Sequence, residues 1–164
     1  MEATVIQKPF LSKPTLENSI HYIAHTFSFL TTSEDTAGAF SLIHCHFRKD
    51  FMAPPHYHQL EDESFYVLEG EIHFLVGDKT IVAGPGEFVF LPRNIPHSFN
   101  LVTDTAKALM QISPAGFEVF FREFGRPAET LDLPPIPTVN PRSEMFQKMH
   151  DRMIALGNVF MPEM

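Results

Sequence analysis

The chain has 164 residues, 44% of them hydrophobic, with 20 acidic against 12 basic side chains and a net charge of −8. That length fits one domain with a self-sufficient core. The acidic balance argues against nucleic acid and anionic membrane as partners, since both reward clustered Lys and Arg, and no apolar run approaches the roughly 20 residues of a membrane span.

The opening MEATVIQKPFLSKP has no basic region followed by an apolar one, so no secretory signal is expected and the predicted location is cytoplasmic. Cys45 is the single cysteine, which excludes an intrachain disulfide and suits a reducing compartment. The aromatic side chains are 17 Phe and 3 Tyr without Trp, rings that favour an apolar interior.

From Ile20 onward the pattern is short strands broken by turns. IHYIAHTFSFL (20–30) alternates, with Ile23, Phe27 and Phe29 in one phase, and reads as a strand. TSEDTAG (32–38) is a turn cluster and AFSLIHCHF (39–47) a second strand. RKDFMAPP (48–55) is a loop whose two prolines force extended backbone before His56. ESFYVLEG (63–70) is a strand ending at a glycine, and EIHFLVGDKTIVAG (71–84) a hairpin turning at Gly77-Asp78. EFVFLP (87–92), HSFNLV (97–102) and KALMQIS (107–113) complete an all-β set with sandwich or barrel spacing.

At Ser113 the character changes. Ser113-Pro114 reads as an N-cap and first helical residue, and Phe117, Phe120, Phe121 and Phe124 follow helical spacing. Glu118 and Arg122 are expected to pair on the opposite face, and Gly125 to end the helix. A proline-rich connector (126–141) leads to a second helix, opened by Asn140-Pro141 and running through Leu156 before Gly157, with Met145, Met149 and Met153 on one stripe. Both stripes are expected to pack on the sheet. The predicted domain is thus residues 1–164, with a core of about 20–113 and a helical extension over 114–164.

His56, His58, Glu63 and His97 form the constellation with chemical content, because three imidazoles and a carboxylate are a mononuclear divalent-metal ligand set. On a strand, residues two apart share a face, so His56 and His58 can reach one ion. Glu63 has the wrong parity for an unbroken strand, so Gln59 to Asp62 must bend the chain and bring Glu63 in from a neighbouring strand. The expectation is three ligands along one sheet edge, with His97 reaching in from across a cavity. The pair His44 and His46 lacks a carboxylate at matching distance and is expected to be barrel lining or surface. Glu61 and Asp62 read as a solvated turn, His73 and His150 as surface, and Cys45 as a small buried residue.

These residues resemble the cupin family. Its first motif, HxH, four residues, Glu, six residues, Gly, is matched by His56, His58, Glu63 and Gly70. Its second is matched at Gly86, Pro92 and His97, with Asn94 in place of a glycine and Asn100 one position early for the trailing asparagine. Asparagine tolerates left-handed backbone, so the turn at Asn94 should survive. DTAGAFSL, ESFYVLEGE and SPAGFEVFFREFGRP further resemble small bacterial cupins of the quercetin 2,3-dioxygenase-like group. The resemblance implies a single jelly-roll β-barrel with a C-terminal helical extension and one divalent transition metal ion per chain (Fe, Mn, Ni, Co, Cu or Zn). It also implies a homodimer, to which the phenylalanine helix or methionine stripe could contribute.

Strand parity proposes Phe65, Val67, Phe74, Phe88, Phe99 and Gln111 as the substrate pocket, with Phe90 and Met110 as further candidates. So apolar a lining suits a planar aromatic or enolic small molecule and disfavours a small dicarboxylate, which needs cationic clamps. The expected function is therefore a metal-dependent, dioxygenase-type oxidoreductase with Glu63 as both ligand and proton acceptor. The alternatives are a non-catalytic small-molecule binding or sensing protein, and a metal-dependent isomerase or decarboxylase.

Overall fold

The computed structural model describes residues 7–138 and 143–161, so the predicted helix start at Asn140-Pro141 lies outside the described residues. The stretch read as one strand over 20–30 is a hairpin of β1 (Ser19–Tyr22) and β2 (His25–Thr31). It breaks at Ile23, whose φ of +53° reverses the chain. The turn cluster contains one helical turn, α1 (Ser33–Thr36). Then follow β3 (Ser41–Arg48), β4 (His56–His58), β5 (Asp62–Glu69) and the hairpin β6 (Ile72–Val76) and β7 (Lys79–Ala83), turning at Gly77 as expected. The barrel region closes with β8 (Phe88–Leu91), β9 (His97–Leu101) and β10 (Thr105–Ser113).

Two sheets result, in the orders β1-β2-β3-β10-β5-β8 and β4-β9-β6-β7, each lengthened by a C-terminal strand described below. They face one another without closing, as a jelly roll. Their inner faces meet where Phe65 of β5 packs on Phe74 of β6 and Phe99 of β9, at ring-centroid separations of 5.3 and 5.0 Å. Period-two alternation puts Ile43, Cys45 and Phe47 of β3 in this core. His44 and His46 are half-buried on the opposite face of β3. Burial pushes the Cys45 thiol well up, as suits an inert core residue.

The C-terminal extension departs from expectation in instructive ways. Ser113 is not a helix cap, because it is still paired with Asp62 in the β10–β5 ladder. Helix α2 (Glu118–Phe124) starts later, from Phe117. Glu118 does not pair with Arg122: it is 1% exposed and accepts hydrogen bonds from the Ser33 and Gly116 backbone N–H groups at 2.8 and 2.6 Å. Burial pushes its carboxyl up, but those donors outweigh it and hold it below the usual range. Arg122 instead lies over the Phe29 ring, 4.8 Å from its centroid. Gly125 has extended backbone; a side chain there would run into Ile20.

After the two-residue β11 (Arg126–Pro127), which extends the first sheet beside β1, comes α3 (Glu144–Ala155). Met149 and Met153 are buried and Met145 is half-exposed. Gly157, with φ of +87°, lets the chain turn into β12 (Asn158–Phe160), a strand with no sequence signal. It pairs antiparallel with β4 and so lies against the strand that carries His56 and His58.

Candidate metal centre

The structure brings His56, His58 and His97 together, a ring nitrogen of each lying within 4.8 Å of the others. All three belong to one sheet: β4 carries two, and β9 pairs with β4 so that His56 stands directly opposite His97. Glu63 comes from β5 in the facing sheet, reversing the expected arrangement, in which His97 was to be the residue from across the cavity. The cause is the bend after His58, where the chain crosses from one sheet to the other instead of continuing along an edge. Glu63 Oε2 lies 3.5 Å from His97 Nε2 and 3.9 Å from His58 Nε2. Arg93 fixes the bend from outside, donating to Asp62 through its backbone N–H and guanidinium, at 2.8 Å for the shortest contact to each carboxylate oxygen.

Two local devices aim the imidazoles. His56 Nδ1 donates to the Pro54 carbonyl at 2.8 Å, and His97 Nδ1 to the Ile95 carbonyl at 3.1 Å. Each histidine uses the carbonyl two residues earlier, in a proline-stiffened approach, Pro54-Pro55-His56 and Ile95-Pro96-His97. The proton is thereby fixed on Nδ1, which leaves the Nε2 lone pair for the centre. Asn94 has φ of +63°, the left-handed turn expected where the motif has glycine. Asn100 ties the loop before β4 to β9 by accepting from the Asp50 N–H at 3.3 Å.

The electrostatics suit a cation. Burial pushes His56 down to about 4, and the neighbouring His97 and His58 rings act in the same direction, so it is neutral and able to donate its lone pair at neutral pH. Burial pushes Glu63 up, but the His97 contact and the three surrounding imidazoles outweigh it and hold it below the ordinary carboxylate range. His97 Nε2 is buried without a hydrogen-bond partner. Unused imidazole nitrogens facing an ionised carboxylate, with no cysteine among them, fit a divalent transition metal of the first row.

The centre opens on a cavity of about 460 Å³. His56, His58 and Glu63 line it together with aromatic and methionine side chains, and no Lys or Arg is among its described lining. Of the predicted pocket residues, Phe99 lines the cavity, as does Met110. Phe65, Val67 and Phe74 are wholly buried behind that lining. Phe88, Phe90 and Gln111 face away: the first two are 62% and 51% exposed on the outer surface, and Gln111 is exposed as well. Parity failed for them because only one face of the first sheet meets the cavity.

The walls that parity missed come from β1 to β3 (Tyr22, Phe27, Phe47), from α2 (Phe117, Phe120, Phe121) and from α3 with β12 (Met149, Met153, Phe160). Helical spacing predicts core packing for the phenylalanines of α2 and for Met149 and Met153, with a subunit contact or a lid as the alternatives for the methionine stripe. Phe117, Phe120, Phe121, Met149 and Met153 are buried in the core as expected, and they also roof the cavity. His150 is exposed, as expected, and stands at the rim of the same cavity with its ring stacked on Phe160 at 4.6 Å.

His25 is a cavity residue that sequence reasoning passed over. Its Nδ1 accepts from the Arg48 N–H and its Nε2 donates to the Phe51 carbonyl, both at 3.1 Å, so it staples the loop before β4. Burial pushes it down from 6.5 to about 4. The folded value lies below the unfolded one, so the contribution is complete above pH 6.5 and is lost as pH falls towards 4. Urea unfolding of metal-free protein at pH 7 and pH 5 should show His25→Gln losing less stability on acidification than wild type, by on the order of 2 kcal/mol. Equal losses would contradict this role.

Comparison with known proteins agrees with this geometry. The family described as Cupin domain matches residues 43–112, which contain both ligand-bearing segments. The fold is also that of an RmlC-like cupin from Shewanella frigidimarina, with a TM-score of 0.57 at 21% identity over 70% of this chain and 99% of that one. Residues 43–112 are thus a cupin domain, and the fold around them is the cupin fold. KdgF from Halomonas sp. has the same fold, with a TM-score of 0.58 at 14% identity over 69% of this cupin and 99% of that chain. Among curated proteins, the cupin is 32% identical over 100 residues to quercetin 2,3-dioxygenase of Bacillus subtilis, a match covering 61% of this chain and 30% of the relative. It therefore spans less than a third of that enzyme's length.

Proposed function

We propose that this cupin is a metal-dependent dioxygenase-type enzyme acting on a planar aromatic or enolic hydroxyl compound. The observation that carries the reading is the placement of His56, His58 and Glu63, with His97 clustered beside them, at the wall of an aromatic cavity whose described lining has no cationic side chain. The likeness to a quercetin 2,3-dioxygenase supports the substrate class.

A divalent ion held by these four residues would make a substrate hydroxyl more acidic and give dioxygen an open position. The chain's own residues supply the rest. Glu63, ionised and facing the imidazoles, accepts the hydroxyl proton. Phe27, Phe47, Phe99 and Phe117 hold a flat ring by stacking and edge contacts. The roof of α2 and α3 excludes water. A dicarboxylate would enter without a cationic partner and is disfavoured.

The test is dioxygen consumption by protein loaded in turn with Fe, Mn, Ni and Co, against a panel of flavonols and catechols. Uptake that disappears in His97→Ala supports the proposal. Full metal occupancy without uptake for any pair contradicts it and leaves ligand binding without turnover.

The proposal includes a cytoplasmic homodimer of this single-domain chain. Support comes from the outer face of the first sheet, where Tyr66 and Phe88 stand in register on β5 and the edge strand β8, 42% and 62% exposed, beside Phe90. Such a strip on an edge is self-complementary about a two-fold axis. Light scattering should give wild type about twice the 18.7 kDa chain mass and Phe88→Glu/Phe90→Glu the chain mass itself. A monomeric wild type would contradict it.

A further inference from the structure

Three imidazoles meet at the centre, but only two have a backbone acceptor for the nitrogen that faces away from it. His56 uses the Pro54 carbonyl and His97 the Ile95 carbonyl. His58 is 2% exposed, and its Nδ1 has no hydrogen-bond partner. The carbonyl two residues before it belongs to His56, within the same β4 strand.

What lies behind His58 is Glu61. It is 6% exposed although it belongs to the acidic run read as a solvated turn. Its Oε2 stands 3.5 Å from His58 Nδ1 and likewise has no hydrogen-bond partner. Two buried polar atoms that lack every other partner thus face each other across a distance that a few tenths of an ångström would turn into a hydrogen bond. The placement follows from the chain path, since the bend from Gln59 to Glu61 carries the carboxylate back over the ring it has just left. On the neighbouring strand, Asn158 of β12 stands in register with His58 and is itself buried.

We propose that Glu61 is a positioning residue for the metal centre: its carboxylate takes the Nδ1–H of His58 and thereby aims His58 Nε2 at the ion. The inference rests on the metal-centre reading above. Metal-bound imidazoles need such an acceptor to fix ring orientation and tautomer, and removing it characteristically costs about 10- to 100-fold in metal affinity. A carboxylate, unlike the carbonyls behind His56 and His97, also brings a negative charge to the far side of the ring. His58 is then the most electron-rich of the three imidazoles and the one whose loss of support the metal's spectrum should report.

The test is titration of the full chain with Co²⁺, following both affinity and the visible absorption of the bound ion. Glu61→Ala should bind cobalt about 10- to 100-fold more weakly with a shifted spectrum, and Glu61→Gln, which keeps an acceptor oxygen, should recover part of both. The near-isosteric Gln variant carries the test if the Ala variant folds poorly. Cobalt affinity within about twofold of wild type in both variants overturns the proposal. So does weaker binding with an unchanged spectrum, since that marks general loosening. His58→Ala, titrated alongside, separates the levels. If it keeps wild-type affinity, the centre itself is misplaced; if it loses cobalt while Glu61→Ala does not, only the role of Glu61 fails.

Discussion

His58→Ala is expected to abolish stable metal binding, lowering affinity by more than about 100-fold, while the metal-free protein stays folded. His58 is 2% exposed and is the one ligand that touches both the carboxylate side and the roof, with Nε2 3.9 Å from Glu63 and its ring edge-on to Phe117 at 4.9 Å. Removing it takes away one of four donors and leaves His56, His97 and Glu63 to hold the ion in a geometry built for four. It also leaves a hole beside Phe117, at a cost on the order of 1–3 kcal/mol that melting of the metal-free protein should register. Metal content after dialysis is the decisive readout. A variant that keeps one equivalent would remove His58 from the ligand set.

Gly70→Ala is expected to be the most destabilising single-methyl change in the barrel. Gly70 sits at φ of +76° between β5 and β6, and a Cβ there would fall 2.5 Å from the Thr105 carbonyl oxygen and 2.9 Å from Ala106 Cα. Both obstacles are backbone, held by the β10–β3 ladder, and cannot swing aside. Left-handed backbone and overlap together should cost roughly 3–5 kcal/mol, a fall in Tm of about 10 °C. Gly86, also left-handed at φ of +87°, meets nothing within 4 Å at its Cβ, so Gly86→Ala should cost only the backbone strain, about 1–2 kcal/mol. Equal melting temperatures for the two variants would contradict the steric account.

The contrast explains what the sequence could and could not disclose. The clustering of the histidines, the hairpin at Gly77 and the left-handed Asn94 were legible because spacing, proline and asparagine chemistry act locally. The sheet to which each ligand belongs was not legible. Parity states that a residue changes face, not that the chain changes sheet, and so Glu63 rather than His97 turned out to be the partner from across. Parity also placed Phe88 and Phe90 inside because an apolar edge strand looks the same whether its rings meet a cavity or lie on the outer surface. The roof was hidden for a further reason. Phe117, Phe120 and Phe121 satisfy helical periodicity equally well as core or as cavity wall, and β12 is three residues long, below any pattern a sequence displays. Glu61 and Glu118 were hidden because acidic side chains are normally solvated, and only a tertiary contact shows that these two are buried.

The most direct test of the metal centre is anomalous diffraction from crystals grown with Fe, Mn, Ni or Co, recorded on each side of the metal's absorption edge. The account predicts one peak per chain, at about 2.0–2.2 Å from the Nε2 atoms of His56, His58 and His97 and from a carboxylate oxygen of Glu63, facing the aromatic cavity. No peak among these residues, or a peak held elsewhere on the chain, would contradict it.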